Sequence, residues 1–531
     1  MSKMTKAFNN ALLADATYAL NSNNLNGLTG SNLVNLLGFE DRMTPTLAKY
    51  IGDNFTVVTH IETGDFLQSG FDATVWKDNA TGKLTVTMQG TSGLQDFLSD
   101  ADLAVTANAR SQIVDMVNWW FKITTPAGQS ARQIRLAMQY DNSAPPLALG
   151  TRYAIAPDVP GTGLVLTAQL LQGVGVSGHS LGGYLATAFT RLFGSQAHIS
   201  HTSTFNSAGF APGSETVFRE LQNIIGPSYG LGRYPSASEQ SNYFAVNGLN
   251  LTTNSFWFSH QGRRVDLFQE EGTGVANHSM YKLTDALVLG AALEKLDSTF
   301  TTAKLNELIK AGSNDMKASY EGVLDGLRKA LAGPNAQALP VGDISDSATS
   351  RVTYHATLAA LQNNPIFKDL AGQLNIKLAS SDVRAATRKD FGALIALQDL
   401  SPLYIGGKTP AANTQLAEIW QIARATDYAA WQADKSMSLA DRQLGKETAC
   451  SPIQNVKAIK KALPGVSASC VRARGGNNNT INSVAACTRK QGAVAIFKGN
   501  KWLEKYSGYL LPAKSKMRPI AADNNFPRSA T

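Results

Sequence analysis

The stretch Gly178-His179-Ser180-Leu181-Gly182 decides how the first part of this chain is interpreted. An apolar, strand-forming run over residues 171–177 precedes it, and a helix-forming run over residues 183–193 follows. A G-x-S-x-G motif between a strand and a helix forms a sharp turn that lifts the serine hydroxyl out of the sheet. The turn strains the serine backbone, and the flanking glycines are needed because a Cβ there would collide with the adjoining strand or helix. The motif predicts that Ser180 is a nucleophile, and a chance match to a short motif is the alternative.

The serine turn lies within a regular alternation of strands and helices. After a helical pattern over 5–20, strand patterns occupy 55–60, 72–77, 83–89, 174–178, 199–205, 243–246 and 264–268, and helical patterns occupy 94–104, 110–122, 182–193, 215–225 and 280–296. Such alternation predicts a mainly parallel sheet that is covered by helices on both faces. Together with the serine turn, it predicts an α/β fold of the α/β-hydrolase type in residues 1–300, with an α/β-hydrolase sheet and flanking helices.

The chain after residue 300 has a different composition. Helical patterns dominate residues 301–440, which we interpret as a mainly helical region, and residues 441–531 contain 16 Lys and Arg but only 4 Asp and Glu. A basic C-terminal region of this kind suits an anionic lipid surface or an acidic protein partner, and a solvated basic surface is the alternative. The sequence has no zinc-ligand spacing and no RNA-binding aromatic motif, so no nucleic acid is expected as a partner.

The sequence gives little reason to expect a membrane-spanning or metal-binding protein. Its first apolar run is broken by asparagine and aspartate, unlike a signal peptide, and no run of 18 apolar residues predicts a transmembrane helix. We therefore expect a protein that stays in the cytoplasm or is exported by a signal-independent route, as bacterial effectors are. Cys450, Cys470 and Cys487 are odd in number and form no C-x-x-C motif, which argues against a zinc site or a disulfide scaffold, and their redox state stays open. No metal and no cofactor are expected.

A nucleophilic serine needs a histidine to accept its proton, because the hydroxyl group is far from ionised at neutral pH. In α/β-hydrolases this histidine comes after the last strand of the sheet, and the chain order is serine, acid, histidine. His278 has this position, just before the helical pattern at 280–296, and is predicted as the base. His198 and His201 flank the strand after the serine helix and are interpreted as structural, while His260 stands between two strand patterns.

The third member of a catalytic triad is an acid that orients the imidazole. The residues after the strand at 243–246, where this acid is ordinarily found, contain no carboxylate. Asp266 and Glu270 are the candidates, and period-2 alternation puts them on the same face of the last strand. Glu270 leads because it lies at the end of that strand and nearer to His278, but a solvated carboxylate is the alternative for either residue.

An oxyanion hole requires two backbone N–H groups that point at the developing negative charge. Leu181, the residue after the nucleophile, is expected to supply one of them. The other is expected from the loop after the strand at 83–89, where Gly90 allows a sharp turn and Thr91 offers both an N–H and a hydroxyl.

With these motifs the chain resembles the class 3 lipases. That family carries a strand, then R-G-T/S and a few residues before D-W-x-x-D, and this chain has Gln89-Gly90-Thr91 followed by Asp96-Phe97-Leu98-Ser99-Asp100. The family's G-H-S-L-G-G matches residues 178–183 without change. The resemblance covers roughly residues 5–300 and is nearest to bacterial members of the lipase and phospholipase A1 type. It implies Ser180 as nucleophile, His278 as base, and Thr91 with Leu181 as oxyanion donors.

Lipases of this family cover the site with a mobile lid after the first oxyanion loop. Residues 104–123 include Trp119, Trp120 and Phe121, and two adjacent tryptophans cannot share one face of a helix. One of them would then contact lipid while the other packs inside, since tryptophan suits a membrane interface. An ordinary core helix is the equal alternative.

Three hypotheses for the function follow. The first is a serine lipase or phospholipase that cleaves acyl esters of glycerolipids through an acyl-enzyme on Ser180, with a lipid or a membrane surface as its substrate. The second is a soluble carboxylesterase that has no true lid. The third is a binding protein on a hydrolase scaffold whose triad has decayed, which the missing carboxylate after 243–246 supports. The sequence leaves the lipid class, the acyl length and the sn-position open.

Overall fold

The computed structural model describes most of the chain up to residue 436. The described residues are 3–436, without 23–24, 39–41, 64–68, 91–100, 141–148, 227, 231–232, 247–258, 270–273, 313–318, 333–347, 380–386, 388–389 and 400, together with 497–498 and 501–502. The chain forms two compact units, Met1–Ser381 with Ile395–Ile419, and Asp382–Leu394 with Trp420–Thr531. The helices immediately after residue 300 therefore belong to the same unit as the sheet, and the predicted region 441–531 falls almost wholly outside the described residues.

A central sheet of seven strands organises the first unit. Its strands are β1 (Phe55–Glu62), β2 (Asp72–Asp78), β3 (Leu84–Met88), β6 (Val174–His179), β7 (Ile199–Phe205), β8 (Gln240–Ala245) and β9 (Arg263–Leu267). They lie in the order β1-β2-β3-β6-β7-β8-β9, with β1 to β3 antiparallel and β3 to β9 parallel. The sheet is therefore mixed and mainly parallel, consistent with the α/β-hydrolase type that the sequence predicted.

The remaining strands form two-stranded ribbons. They are β4 (Ser130–Tyr140) with β5 (Leu149–Pro160), β10 (Leu374–Leu378) with β11 (Leu403–Gly407), and β12 (Phe497–Lys498) with β13 (Lys501–Trp502). The sequence analysis missed the β4–β5 ribbon, and it read the segments of β10 and β11 as part of a helical region. These strands are short or partly polar, and they pair with a near neighbour rather than with the central sheet, so their pattern is weak.

Helices occupy most of the rest of the described chain. In chain order they are α1 (Lys3–Thr17), α2 (Gly30–Leu37), α3 (Pro45–Asn54), α4 (Ala101–Thr124), α5 (Thr167–Leu170), α6 (Leu181–Phe193), α7 (Ser214–Ile225), α8 (Gly274–His278), α9 (Met280–Leu296), α10 (Thr302–Gly312), α11 (Ser319–Ala332), α12 (Ala348–Asn363), α13 (Pro365–Asp369), α14 (Phe391–Asp399), α15 (Pro410–Ala423) and α16 (Ala425–Ser436). Across the described residues, no helix has both the length and the apolar character needed to cross a membrane.

The two faces of the sheet are packed in different ways. On one face, Val86 of β3 and Val176 of β6 join an apolar core with side chains of α4 and α6. On the other face, the alternating residues are small and polar and meet α1. Ser177 donates to the carbonyl oxygen of Asn10 at 2.9 Å, and the Asn10 amide donates to Ser203 at 3.0 Å. Period-2 alternation along β6 thus places an apolar layer on one side and a hydrogen-bonded layer on the other.

The second unit contains its own aromatic cluster. Phe391 packs against Trp420, Tyr428 and Trp431, with ring centroids between 5.1 and 6.1 Å apart. The indole N–H of Trp431 donates to the carbonyl oxygen of Thr387 at 2.6 Å, so the buried polar atom of this ring has a partner.

Candidate active site

Ser180 occupies the sharp turn between β6 and α6. Its backbone has φ 56° and ψ −123°, a conformation that a residue with a Cβ adopts only when its surroundings enforce it. Three backbone hydrogen bonds enforce it here. The N–H of Ser180 donates to Phe205 at 2.9 Å, and its carbonyl oxygen accepts from Gly183 at 3.0 Å and from Ala208 at 3.1 Å. The strained geometry that the sequence predicted for this serine is present.

The glycines of the turn leave no room for a side chain. A Cβ on Gly178 would overlap the carbonyl group of Gly182. A Cβ on Gly182 would lie 2.6 Å from the carbonyl carbon of Gln89, in the neighbouring loop. Contacts this short do not occur for real Cβ atoms, so either substitution would push the helix away from the sheet.

The loop after β3 lies against the nucleophile. A Cβ on Gly90 would be 2.9 Å from the Cβ of Ser180, so the two backbones are in close approach. Leu181 is the first residue of α6, and its N–H is one of those that have no acceptor within the helix. Both features suit an oxyanion hole. Thr91 lies outside the described residues, and the two donors stay predictions.

His278 is the last residue of α8 and is buried close to the serine turn. Its ring centroid lies 5.1 Å from that of His179, the residue before the nucleophile. Its carbonyl oxygen lies 2.9 Å from Nε2 of His179 and accepts a hydrogen bond from Nδ2 of Asn206 at 2.9 Å. The fold therefore brings the end of α8 to the serine turn, although some hundred residues separate them in the chain.

The other histidines have different surroundings. Nε2 of His201 lies 3.1 Å from the Ser241 hydroxyl, and the ring of His260 packs edge-on against Phe244 at 5.2 Å. His198 has φ 48° in the turn before β7. The structural role that the sequence analysis gave to His198 and His201 stays a prediction.

The candidate acids are not brought to the histidine by a described contact. Asp266 lies on the edge strand β9, where its side chain is 49% exposed and accepts from Nε of Arg264 at 2.6 Å. Its described partner is therefore a neighbouring arginine on the same strand. Glu270 lies outside the described residues. The identity of the acid stays a prediction with Glu270 as the leading candidate.

Two residues near the site were missed by the sequence analysis. Tyr18, just after α1, places its hydroxyl 2.8 Å from Nδ1 of His179 and accepts from the N–H of Gly90 at 2.7 Å. Asn206 follows β7 with φ 42°. An asparagine directly after a parallel strand could have been suspected, because asparagine tolerates a left-handed backbone. Nothing in the local pattern distinguishes Tyr18.

Burial controls the ionisation of the groups around His179. Burial lowers the pKa of His179 well below its ordinary value, and the neighbouring His278 lowers it further. Burial also raises the pKa of Tyr18. At neutral pH both groups are therefore uncharged. In the described part of the chain, no group of three or more His, Cys, Asp or Glu side chains could hold a metal ion.

The aromatic residues proposed for a lid lie in the core. Trp119, Trp120 and Phe121 are buried members of the core cluster on the α4 side of the sheet. The Trp120 ring meets Phe189 edge-on at 4.7 Å, and its N–H donates to Gln196 at 2.8 Å. Trp119 packs against Phe71 and Trp120 against Phe189 of α6, and a lid role for these residues stays a prediction. Residues 91–100, which precede α4, lie outside the described residues.

Comparisons with known proteins give weak similarities. No protein-family model and no curated protein matches this chain. Solved structures that match include the Lip2 lipase of Yarrowia lipolytica, with 12% identity over 51% of this chain and 82% of that chain at a TM-score of 0.28. A lipase of Rhizopus microsporus var. chinensis matches with 13% identity, 52% and 85% coverage and a TM-score of 0.31. A triacylglycerol lipase of Penicillium expansum matches with 12% identity, 52% and 90% coverage and a TM-score of 0.26. Similarities at these values carry no conclusion about the function of this chain.

Proposed function

We propose that this protein is a serine hydrolase that cleaves carboxylic esters of glycerolipids through an acyl-enzyme on Ser180. The observation that carries the proposal is the strained turn between β6 and α6, with φ 56° at a serine whose neighbouring glycines admit no side chain. Backbone strain of this kind costs about 1–3 kcal/mol and persists at functional sites. A serine with only a structural role would not need it.

The reaction follows from the groups around this turn. The hydroxyl of Ser180 attacks the ester carbonyl carbon as its proton passes to the imidazole of His278. The negative charge on the carbonyl oxygen is met by the N–H of Leu181 and by the loop that begins at Gly90. The imidazolium then protonates the leaving alcohol, and water releases the acid by the same steps in reverse order. No metal or cofactor takes part in this scheme.

The substrate class comes from the resemblance to class 3 lipases, and we propose a triglyceride or a phospholipid as substrate. In that case the basic region 441–531 brings the enzyme to an anionic membrane, because clustered Lys and Arg bind such surfaces.

A soluble carboxylesterase is the second candidate function. The burial of Trp119, Trp120 and Phe121 favours it, because these residues then offer no apolar surface to a lipid interface. The two candidates differ in substrate form. A lipase or phospholipase works faster on emulsions or vesicles than on dissolved esters, whereas a carboxylesterase prefers dissolved short-chain esters.

Labelling and product analysis test the proposal. A fluorophosphonate probe should form an adduct on Ser180 of the wild type, and Ser180→Ala should abolish both the adduct and ester hydrolysis. Ser214→Ala is the matched control, because its hydroxyl only caps a turn by donating to Ala211 at 2.8 Å. Lipid products from wild type, Glu270→Gln and Asp266→Asn then identify the substrate and the acid. A wild type that is neither labelled nor active contradicts the proposal and leaves the binding-protein hypothesis.

A further inference from the structure

A chain of hydrogen bonds joins the loop after β3 to the backbone of His278. The N–H of Gly90 donates to the Tyr18 oxygen at 2.7 Å, and the Tyr18 oxygen lies 2.8 Å from Nδ1 of His179. Nε2 of His179 lies 2.9 Å from the carbonyl oxygen of His278. A carbonyl oxygen can only accept, so Nε2 carries the hydrogen, Nδ1 is the acceptor, and the Tyr18 hydroxyl donates to it. Each donor in this series of hydrogen bonds thus has one acceptor.

The Tyr18 ring is itself held in place. The guanidinium of Arg42 lies over the ring at 4.2 Å from its centroid, and Arg42 bonds the fully buried carboxylate of Asp15 at 2.8 Å. The hydroxyl of Tyr18 therefore has a fixed position rather than one of several rotamers. A fixed hydroxyl can set the orientation of the His179 ring.

A second donor reaches the same carbonyl oxygen. Nδ2 of Asn206 donates to His278 at 2.9 Å and lies 3.4 Å from the carbonyl oxygen of Asn277. The Oδ1 atom of Asn206 accepts from the N–H of Ala245 at 2.9 Å. Asn206 thus ties the end of α8 to the ends of β7 and β8, while His179 ties it to the end of β6.

We propose that Tyr18, His179 and Asn206 are positioning residues. They hold the backbone of His278 and the loop that begins at Gly90 in place around Ser180. The proposal rests on the proposed function. The positioning role goes beyond the proposed function, because none of the three side chains needs to touch the substrate. A displacement of about 1 Å in a catalytic group can cost about a hundredfold in rate, so bonds that fix the backbone of the base act directly on turnover.

Two replacements of His179 separate the bonds that it makes. The amide of Gln reaches the place of Nε2. His179→Gln can therefore still donate to the carbonyl oxygen of His278 but loses the hydrogen bond from the Tyr18 hydroxyl. The amide of Asn reaches only the place of Nδ1. His179→Asn therefore keeps an acceptor for the Tyr18 hydroxyl but loses the hydrogen bond to the carbonyl oxygen of His278. Each variant of this buried residue thus keeps one of the two hydrogen bonds and loses the other, which a general packing role would not distinguish.

The test measures kcat, KM and the rate of fluorophosphonate labelling, with thermal unfolding as the check on folding. We expect His179→Asn to lower kcat about a hundredfold, and His179→Gln and Tyr18→Phe about tenfold, with KM nearly unchanged because substrate contacts remain. Adding Tyr18→Phe to His179→Gln should cost less than Tyr18→Phe alone, because the bond between the two residues is already lost and only the bond from Gly90 is still removed. Tyr50→Phe is the control, since its hydroxyl bonds Asn9 at 3.1 Å away from the serine turn.

The outcomes separate this proposal from the proposed function. An inactive and unlabelled wild type removes the proposed function itself. An active wild type, with Gln, Asn and Phe variants all within twofold in kcat, overturns the positioning role. Equal losses in His179→Gln and His179→Asn, or losses that follow the melting temperature alone, overturn it as well. Asn206→Ala should also lower kcat, since one of the two donors to His278 is removed.

Discussion

Replacement of Arg351 by methionine should destabilise the unit that holds the sheet. Asp285 lies on α9, the helix that begins two residues after His278, and its side chain is only 7% exposed. Arg351 of α12 donates to both carboxylate oxygens of Asp285 at 2.7 and 2.9 Å. Nε2 of His355 lies 2.9 Å from Oδ1 of Asp285. Arg351→Met keeps an unbranched apolar stem but removes the guanidinium, which leaves the buried carboxylate without its main partner.

The size of the effect follows from the burial of the pair. Breaking a buried ion pair by removing one partner costs about 3–5 kcal/mol, and the nearby His355 puts the expected loss at the lower end, about 3 kcal/mol. The matched control is Arg264→Met, which breaks the exposed pair with Asp266, where the side chains are 44% and 49% exposed. An exposed pair contributes about 0–1 kcal/mol. Urea unfolding at pH 7, followed by tryptophan fluorescence, measures both losses in the free energy of unfolding.

The pH dependence gives a second measurement on the same pair. Burial by itself raises the pKa of Asp285. The charges of Arg351 and His355 and their hydrogen bonds lower it by more than burial raises it, so the pKa of Asp285 lies below its ordinary value. An Asp in the unfolded chain titrates near about 3.9. The contribution of this group is therefore fully present above the unfolded pKa and is lost as the pH falls toward the folded pKa. The difference between wild type and Arg351→Met should shrink below about pH 4.

Two results would refute this reasoning. One is an equal loss of stability in Arg351→Met and Arg264→Met at pH 7, which would mean that burial does not strengthen the pair. The other is a difference between wild type and Arg351→Met that grows as the pH is lowered. Asp285→Leu combined with Arg351→Met should recover much of the loss, because a buried pair replaced by apolar groups is often neutral.

Three further predictions concern the site and the core. His278→Ala should lower kcat by about a thousandfold or more in an ester hydrolysis assay, and full activity would remove this residue as the base. Gly182→Ala should lower both the melting temperature and the labelling rate of Ser180, because its Cβ meets the carbonyl carbon of Gln89 at 2.6 Å. Trp120→Ala should cost about 3–5 kcal/mol in urea unfolding, as for a core aromatic residue, whereas a lipid-facing lid residue would cost little.

Local patterns predicted much of the first unit. The strand at Ile199–Phe205 and the helix at Met280–Leu296 have the predicted bounds, and the helix after Ser180 begins one residue earlier than predicted. The two helical patterns at 94–104 and 110–122 lie on a single helix, Ala101–Thr124, with residues before 101 outside the described ones. The helix at Met280–Leu296 is buried on nearly all sides, so a continuous helix-forming run, and not a single apolar face, indicates it in the sequence.

The sequence by itself determined the serine turn, because a sharp strand-to-helix turn demands glycine at fixed offsets from the serine. It also determined the alternation of strands and helices around this turn. Only the tertiary structure decided that the end of α8 meets His179, that Tyr18 and Asn206 bond to the same cluster, and that Trp119 and Trp120 face the core. Those contacts join residues tens to hundreds of positions apart, and the order of strands in the sheet, not any local pattern, sets which of them meet.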